Sequence, residues 1–294
     1  MKHHYVPKFL LRGWVLKSSE TLPDPPFDNK LEKFDIGGDA VSSDRKGLGE
    51  VGYERDLYAL TRREIAGLKK QDIETIFMST LDNDAARVKN KLLTSDNIKL
   101  TNSERCQWAR FLMSLRVRLP DEVNNIVKEA SSVLLESLRG NPFEYRQLEN
   151  ECDPETLEAW VEEKFPGLIQ NFGLSELGNY IDNEKVGDKL INMHWRVVTF
   201  KWGAPELLLS DNPCIWSGGI GDENLIIVLP ISPSKLFMAC RGESVERKLS
   251  ALSEKSLIEK VNASSVRQSK KSIFAKTSLP KRFIENRFVK LDKK

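Results

Sequence analysis

Residues 1–14 read MKHHYVPKFLLRGW, and this stretch is the one around which we expect the fold to assemble. Two of the three histidines in the chain, His3 and His4, stand side by side there. Pro7 follows them, and an apolar run extends to Trp14. The residues predict a short strand or an irregular buried segment, and Pro7 would stand at the start of any helix there. We expect this segment to pack back against a sheet formed by the C-terminal part of the chain.

The middle of the chain has a helical period. From Gln71 to Leu92, apolar residues recur every three or four positions and form one apolar stripe of a helix. Thr101 and Glu104 have the spacing of a capping box, which marks the start of the next helix. Three further helices are predicted, over residues 121–140, from Asp153-Pro154 onward, and near residues 173–190.

After Ile191 the pattern changes to short runs of β-branched and aromatic residues, separated by turn residues. A helix over residues 254–268 and a strand over residues 272–276 follow. This order predicts an α+β fold with an N-terminal extended segment, a helical middle and a C-terminal antiparallel or mixed β-sheet. We predict a single domain over residues 1–294, composed of an extended or β segment (1–60), a helical part (71–190) and a β-rich part (194–280).

Composition excludes several classes of protein. The net charge is only +2, so the whole-molecule charge does not require a nucleic-acid partner, and a basic site would have to be a local patch. The four cysteines lack CxxC spacing, which argues against a zinc knuckle. No apolar run reaches the roughly 18 residues needed to span a bilayer. We therefore expect a cytoplasmic protein with no membrane partner. Walker, GxGxxG, HExxH and GxSxG motifs are absent.

A first group of candidate site residues combines histidines with carboxylates. If the segment around Glu54, Asp56 and Tyr58 is a strand, these three side chains share one face. Two carboxylates on one face suit a hard divalent cation, although the same residues could form a solvated face. The imidazole of His4 or His3 could be a metal ligand or a general base, or else a hydrogen-bonded core group.

A second group lies near a strand end and a helix end. Ser210-Asp211-Asn212-Pro213 follows an apolar run and places a carboxylate and an amide where sites are often built. The same residues are also an ordinary turn starter. Arg118, close to Pro120 at a helix end, could bind a phosphate bidentately. Alternatively, it could be a solvated arginine that stabilises the helix C-terminus.

The order of these motifs resembles that of the DUF4238 family of uncharacterised, mainly bacterial proteins. The resemblance depends on the HHYVP start and the SDNP turn, with further matches at Glu54 to Tyr58, Arg118-Leu119-Pro120 and Pro230 to Pro233. It implies an architecture and positions to test, but no activity. Those positions are His3, His4, Pro7, Glu54, Asp56, Tyr58, Arg118, Ser210, Asp211 and Pro213.

The first functional hypothesis is a metal-dependent phosphodiesterase or nuclease that acts on nucleic acid. A Mg²⁺ or Mn²⁺ ion would polarise the phosphoryl group and activate water, and an arginine would stabilise the developing charge. A bacterial toxin or phage-defence role would suit such an enzyme. The assigned roles are catalytic for His4, Asp211 and Arg118, substrate-binding for His3, Tyr58, Ser210 and Asn212, and metal-binding for His4, Glu54, Asp56 and Asp211.

The second hypothesis is a non-catalytic binding or interaction module. His3, Asp56 and Asp211 would then form a buried, fully hydrogen-bonded polar lock that ties the N-terminal segment to the sheet. The near-neutral net charge favours this hypothesis slightly, since nucleic-acid binders usually have a basic footprint. Geometry distinguishes the two hypotheses. A solvent-open cleft would favour the enzyme, whereas sealed and mutually paired side chains would favour the lock.

Overall fold

The structure, a computed structural model, describes residues 1–16, 29–36, 40–61, 69–94, 99–140 and 142–288. The chain divides into two compact units. Unit 1 comprises Met1–His3, Glu54–Leu81 and Val117–Asn183. Unit 2 comprises His4–Tyr53, Asp82–Arg116 and Glu184–Lys294. The single domain expected from the sequence stays a prediction.

Helices and strands alternate irregularly along the described residues. The α-helices are α1 (Lys8–Leu11), α2 (Ser79–Thr94), α3 (Asn102–Val117), α4 (Pro120–Arg139), α5 (Pro142–Arg146), α6 (Leu157–Lys164), α7 (Leu168–Ile181), α8 (Glu184–Ile191), α9 (Glu243–Ser250), α10 (Glu254–Gln268) and α11 (Lys281–Phe288). The strands are β1 (Lys2–His4), β2 (Leu31–Asp35), β3 (Ser42–Lys46), β4 (Tyr53–Arg55), β5 (His194–Thr199), β6 (Leu209–Ser210), β7 (Ile215–Trp216), β8 (Ile226–Ser232), β9 (Lys235–Cys240) and β10 (Ser272–Ala275). A π-helical turn, Ile73–Met78, leads into α2, and 3-10 turns span Arg12–Trp14 and Leu48–Glu50.

Unit 1 is built mainly from helices. α4 and α7 pack along each other, and α6 contacts both. Gly173 of α7 permits the close approach, because a Cβ atom there would lie 2.7 Å from the carbonyl oxygen of Val127. Any side chain at this position would push α4 and α7 apart.

One four-stranded antiparallel sheet of unit 2 has the order β3-β2-β10-β6. β10 is central, and Ile273 pairs with Phe34 of β2 on one side and with Ser210 of β6 on the other. All four residues of β10 are buried, as expected for a short apolar strand that is paired on both edges and covered by side chains. Val266 of α10 and Ile284 of α11 belong to the same hydrophobic cluster as Ile273.

The other four-stranded antiparallel sheet of unit 2 has the order β5-β9-β8-β7. The apolar residues of β9 are buried, and Phe237 makes edge-on ring contacts with Trp108 at 5.5 Å and with Trp195 at 5.3 Å. Aromatic pairs of this geometry stabilise a core beyond the area that they bury. β1 and β4 form a separate two-stranded sheet.

Most sequence-based expectations about the fold are confirmed. The fold is mixed α+β, with N-terminal strands and C-terminal sheet as predicted. α10 has the predicted bounds of 254–268. The capping box is formed, since the Thr101 N–H donates to Glu104 at 2.9 Å and the Glu104 N–H donates to the Thr101 hydroxyl at 3.3 Å. The N-terminal segment packs back as expected, because the Trp14 Nε1–H donates to the carbonyl oxygen of Leu207 at 2.8 Å.

Four local expectations were wrong. The single helix expected near residues 173–190 is instead two helices, because α7 ends at Ile181 and α8 begins at Glu184. The segment after Pro7 is helical, because the proline has an extended backbone just before α1 and the residues that follow favour a helix. The strand at Glu54 ends with Arg55, and Asp56 has a left-handed backbone (φ 53°), so the predicted alternation of side chains stops there. The helix expected from Asp153 begins at Leu157, where Thr156 caps it instead.

Candidate functional site

His3 is fully buried in unit 1, and both of its ring nitrogens are engaged. Nδ1 accepts a hydrogen bond from the backbone N–H of Tyr58 at 2.9 Å. Nε2 lies 2.5 Å from Oε1 of Gln71. Because Nδ1 is an acceptor, the ring proton of the neutral histidine lies on Nε2, which donates to Gln71. The ring also stacks on that of Tyr58, with centroids 5.4 Å apart.

The hydrogen-bond chain continues from Gln71 to the surface of unit 1. Nε2 of Gln71 donates to Oδ1 of Asp56 at 3.2 Å, and the amino group of Met1 donates to the same oxygen at 2.6 Å. The hydrogen bond from the Met1 amino group is the main reason why the pKa of Asp56 lies below its usual value. Asp56 is exposed, so this ion pair is screened by water.

Burial lowers the pKa of His3 below its usual value, although the hydrogen bond to Gln71 acts in the opposite direction. The imidazole is therefore neutral near pH 7 and links Tyr58 to Gln71. To accept a proton at Nδ1, it would have to release the backbone N–H of Tyr58. This arrangement can hold a strand in position, but it leaves no ring nitrogen available to a substrate.

Tyr58 and Arg118 also lie in unit 1 and are both sealed from solvent. The hydroxyl of Tyr58 donates to the carbonyl oxygen of Arg118 at 3.0 Å. The arginine is only 1% exposed, so its guanidinium does not face an open surface. A phosphate could reach it only after the surrounding residues had moved.

Asp211 in unit 2 accepts four hydrogen bonds from the turn between α10 and β10. Its Oδ1 accepts from the hydroxyl of Ser269 at 2.8 Å and from the N–H of Lys270 at 2.9 Å. Its Oδ2 accepts from the N–H groups of Lys271 at 2.6 Å and Ser272 at 3.0 Å. Two carboxylate oxygens offer about four lone-pair positions. All four are occupied in a side chain that is 3% exposed.

The neighbours of Asp211 in the SDNP turn have internal partners too. The buried hydroxyl of Ser210 donates to the carbonyl oxygen of Asn212 at 2.5 Å, and the side-chain amide of Gln268 donates to the same carbonyl. These bonds tie the turn to the end of α10.

A family model matches residues 2–278 and carries the description "Protein of unknown function (DUF4238)". The chain belongs to this DUF4238 family. The match spans both the paired histidines and the SDNP turn, so the resemblance seen in the sequence is confirmed. No match was found among curated proteins or among solved structures.

In this DUF4238 chain the predicted site residues are distributed over both units. His3, Asp56, Tyr58 and Arg118 lie in unit 1, and Glu54 of the same unit is half-buried in β4. In unit 2, the ring of His4 lies 5.7 Å from that of Tyr53, and Ser210, Asp211 and Asn212 form the SDNP turn. Across the part of the chain that the structure describes, no three His, Cys, Asp or Glu residues form a group that could hold a metal ion. The assignment of His4, Glu54, Asp56 and Asp211 as metal ligands stays a prediction.

Sequence reasoning missed Gln71 and Lys89. Gln71 gives no local signal, since it acts through a partner 68 residues away. Lys89 could have been found, because it lies four residues after the buried Ala85, on the apolar stripe of α2. Its Nζ donates to the carbonyl oxygens of Phe9 at 2.9 Å and Leu10 at 3.4 Å. Burial is the main cause and the charge of Arg12 the lesser cause that together lower the pKa of Lys89 to about 8.

Proposed function

We propose that this protein is a non-catalytic binding module in which His3 and Asp211 are structural polar locks. The observation that carries the proposal is the saturation of Asp211, whose two oxygens accept four hydrogen bonds in a side chain that is 3% exposed. A metal ligand or a general base needs a lone pair directed at the ion or the substrate. Asp211 directs all of its lone pairs at its own chain.

The energetics of Asp211 support the same function. Each buried N–H that loses its acceptor costs about 1–3 kcal/mol. A cation that recruited this carboxylate would have to displace at least one such donor without restoring a partner. Keeping its four hydrogen bonds, and so fixing the turn between α10 and β10, is therefore energetically more favourable for Asp211 than binding a cation.

His3 supports the proposal independently in unit 1. A general base must present a nitrogen lone pair to the proton that it abstracts. The lone pair of His3 is directed at the N–H of Tyr58, and the ring is fully buried. Through Gln71 the same ring is connected to Asp56, so the polar chain orders β1 and the turn after β4.

The nuclease or phosphodiesterase hypothesis stays a prediction, and so do a Mg²⁺ or Mn²⁺ cofactor, a toxin or defence role and a cytoplasmic location. No contact of the described residues favours a nuclease or phosphodiesterase over the binding module. In the part of the chain that the structure describes, no helix is both long and apolar enough to cross a bilayer.

The proposal is tested by measuring the stability and the nuclease activity of the same Asp211 variant. We compare wild type with Asp211→Asn, using Asp188→Asn on the exposed side of α8 as a matched control. In either orientation, the amide would turn its NH2 group toward at least one backbone N–H donor and leave that donor without an acceptor. We therefore expect a loss of about 2–3 kcal/mol in the free energy of unfolding, measured by urea denaturation. The control should stay within about 0.5 kcal/mol of wild type.

Labelled RNA and DNA are incubated with the same three proteins in the presence of Mg²⁺ or Mn²⁺. We expect no cleavage above that of a buffer blank. Cleavage by wild type and by Asp188→Asn, but not by a folded Asp211→Asn variant, would overturn the proposal and support the enzyme.

A further inference from the structure

The sheet with the order β5-β9-β8-β7 has two edges of very different length. β7, at one edge, is only two residues long, whereas β5, at the other edge, has six. Among the described residues, β9 is the only strand that pairs with β5. Proteins usually keep edge strands short or covered, because an unpaired edge is a template for another chain. β5 is therefore the edge of this sheet that can accept a further strand.

The backbone groups that point outward from β5 follow from its register with β9. The N–H of Phe200 donates to the carbonyl oxygen of Ser234 at 2.9 Å, one position beyond the end of the β5–β9 ladder. Because hydrogen bonding alternates along an antiparallel pair, the even-numbered residues of β5 bond to β9. The N–H and C=O groups of Trp195 and Val197 point the other way, and none of the described residues bonds to them. We call these four backbone groups the outer edge of β5.

A groove lies between β5 and the segment that joins α9 to α10. Its volume is about 380 Å³, which lies within the range of small-ligand pockets. Arg196 and Val198 both line it, as expected for alternate residues on one face of a strand. Leu249 and Leu252 line it from the other side and, like Val198, pack on the hydrophobic cluster that contains Leu257. The groove therefore combines an apolar wall with the cation of Arg196.

The half-buried Arg196 has unused hydrogen-bonding capacity in this groove. Its Nη1 donates to the hydroxyl of Ser250 at 2.6 Å, but its Nε is buried and has no partner among the described residues. Glu254 also lines the groove, but it lies 4.0 Å from Nζ of Lys201 and accepts the N–H of that lysine at 3.4 Å. A buried donor without an acceptor costs about 1–3 kcal/mol. An incoming carboxylate would supply the acceptor that Arg196 lacks.

A purely protective role does not account for Arg196. A charge on an edge strand can repel other chains, but such a charge does so by staying hydrated. The Nε of Arg196 is buried instead. Arg105 does not share the groove, because it packs at 4.0 Å over the ring of Trp195, whose side chain lies on the opposite face of β5.

We propose that the outer edge of β5 binds an extended peptide segment of a partner protein as an added antiparallel strand. In this mode of recognition, backbone hydrogen bonds supply affinity and alternate side chains supply specificity. Side chains of antiparallel strands face each other directly, so the partner places an acidic residue opposite Arg196 and an apolar residue opposite Val198. Because the strands run in opposite directions, the apolar residue comes two positions before the acidic one. This inference rests on the proposed function, since it names the partner of a binding module.

The first experiment measures the binding of labelled, end-capped peptides to the full chain by fluorescence anisotropy. The test peptide carries Val-Thr-Glu between flanking threonines, and the controls carry Val-Thr-Gln or the reversed order Glu-Thr-Val. We expect both controls to bind roughly tenfold more weakly, because each loses the carboxylate opposite Arg196. N-methylation of the central threonine removes the N–H that bonds to the carbonyl oxygen of Val197, and it should also weaken binding roughly tenfold.

The second experiment assigns the acidic preference to Arg196. We compare Arg196→Gln with Arg267→Gln, an exposed arginine at the other end of α10 with the same change in charge. Arg196→Gln should bind the Val-Thr-Glu and Val-Thr-Gln peptides with equal affinity. Arg267→Gln should keep the tenfold preference to within about twofold. If Arg196→Gln does not fold, the peptide comparison with wild type still decides the inference.

The third experiment locates the bound peptide by hydrogen exchange measured with NMR. At a free peptide concentration ten times the Kd, about one protein molecule in eleven is unbound. The amides of Trp195 and Val197 should therefore exchange roughly tenfold more slowly than without peptide.

Four outcomes would overturn the inference. These are no binding of the Val-Thr-Glu peptide by wild type, equal binding of its Gln counterpart, unchanged binding after N-methylation, or unchanged exchange of Trp195 and Val197 when the peptide binds. A wild-type dimer in light scattering, with both amides already protected in the absence of peptide, would show that a second copy occupies the edge and would also overturn it.

The fate of the proposed function is decided separately. Asp211 belongs to the turn after β6, in the other four-stranded sheet of unit 2. Cleavage of nucleic acid that depends on Asp211 would overturn the non-catalytic function, whatever the peptides do. Failure of peptide binding, with no cleavage and a destabilised Asp211→Asn, would overturn only the peptide partner.

Discussion

The two units of this protein bury and expose apolar side chains very differently. Among the described residues, 12 of 90 in unit 1 and 46 of 171 in unit 2 are buried hydrophobic residues. Eight of the ten large hydrophobic side chains that are exposed belong to unit 1. Unit 2 is thus stabilised by apolar burial, whereas unit 1 depends more on close helix packing and on the polar chain through His3.

The helical part of unit 1 and the C-terminal part of unit 2 also differ in net charge. Residues 117–183, the helical part of unit 1, contain 14 acidic and 5 basic residues, a net charge of −9, against +8 for residues 184–294. The net charge of the whole chain is only +2, because these regional charges largely cancel. The comparison teaches that whole-molecule charge is a poor guide to partners when opposite charges are segregated along the chain.

The largest expected effect concerns Lys89 in the apolar interior of unit 2. Its pKa is lowered to about 8 in the folded protein from an ordinary value of 10.5, so the unfolded chain holds this proton more tightly. The free energy of unfolding should therefore rise by about 3 kcal/mol as pH increases from about 8 to about 10.5. Below about pH 8 the full penalty of the buried charge is present.

The measurement is urea unfolding of wild type and Lys89→Met across this pH range. The methionine variant should lack the rise, because it has no ammonium group to bury. A parallel rise in both proteins would show that Lys89 is not its source.

The next largest expected effect comes from a substitution that disrupts the packing of α4 against α7 in unit 1. In Gly173→Ala the new Cβ would lie 2.7 Å from the carbonyl oxygen of Val127, and we expect a loss of about 2 kcal/mol. Gly178→Ala is the matched control in the same helix, because its Cβ would meet only the ring of Phe77, at 3.8 Å. The control should gain about 0.5–1 kcal/mol from better helix propensity.

Hydrogen exchange followed by mass spectrometry measures the protection of backbone amides in each region of these two variants. We expect Gly173→Ala to lose protection first in α4 and α7, with unit 2 less affected. Equal loss throughout both units would instead support the single cooperative domain that the sequence predicts.

The smallest expected effect concerns the polar chain of unit 1. Because the pKa of His3 is lowered in the folded protein, the unfolded state binds more protons below about pH 6.5, and stability should fall as pH falls through that range. His3→Gln removes the titration and should cost about 1 kcal/mol at pH 7 through lost hydrogen bonds. A pH profile of Tm below neutrality should therefore be flatter for His3→Gln than for wild type, and identical profiles would contradict the assignment.

Features set by neighbouring residues could be predicted from the sequence. The bounds of α10 follow from an apolar period and a serine cap, since Ser253 accepts a hydrogen bond from the N–H of Ser256. The capping box at Thr101 depends on a residue only three positions away. By contrast, Asp56 was expected on a strand face, but its left-handed backbone removes it from that pattern.

The candidate site shows where such prediction ends. Asp211 and His3 were recognised as positions to test, but their chemical state depends on partners far along the chain. The donors to Asp211 lie 58–61 residues away, and those engaging His3 lie 55 and 68 residues away. A residue's type reveals which lone pairs and protons it has, whereas only its surroundings reveal which of them are already in use.

The sequence by itself determined the α+β class, the main helical periods, the family and the concentration of basic residues near the C-terminus, because each of these is a property of local order or composition. The tertiary structure alone decided that the imidazole of His3 is sealed, that the carboxylate of Asp211 is saturated and that Lys89 is buried. Hydrogen bonds and burial arise between segments that are distant in the chain, so they have no counterpart in any short stretch of sequence.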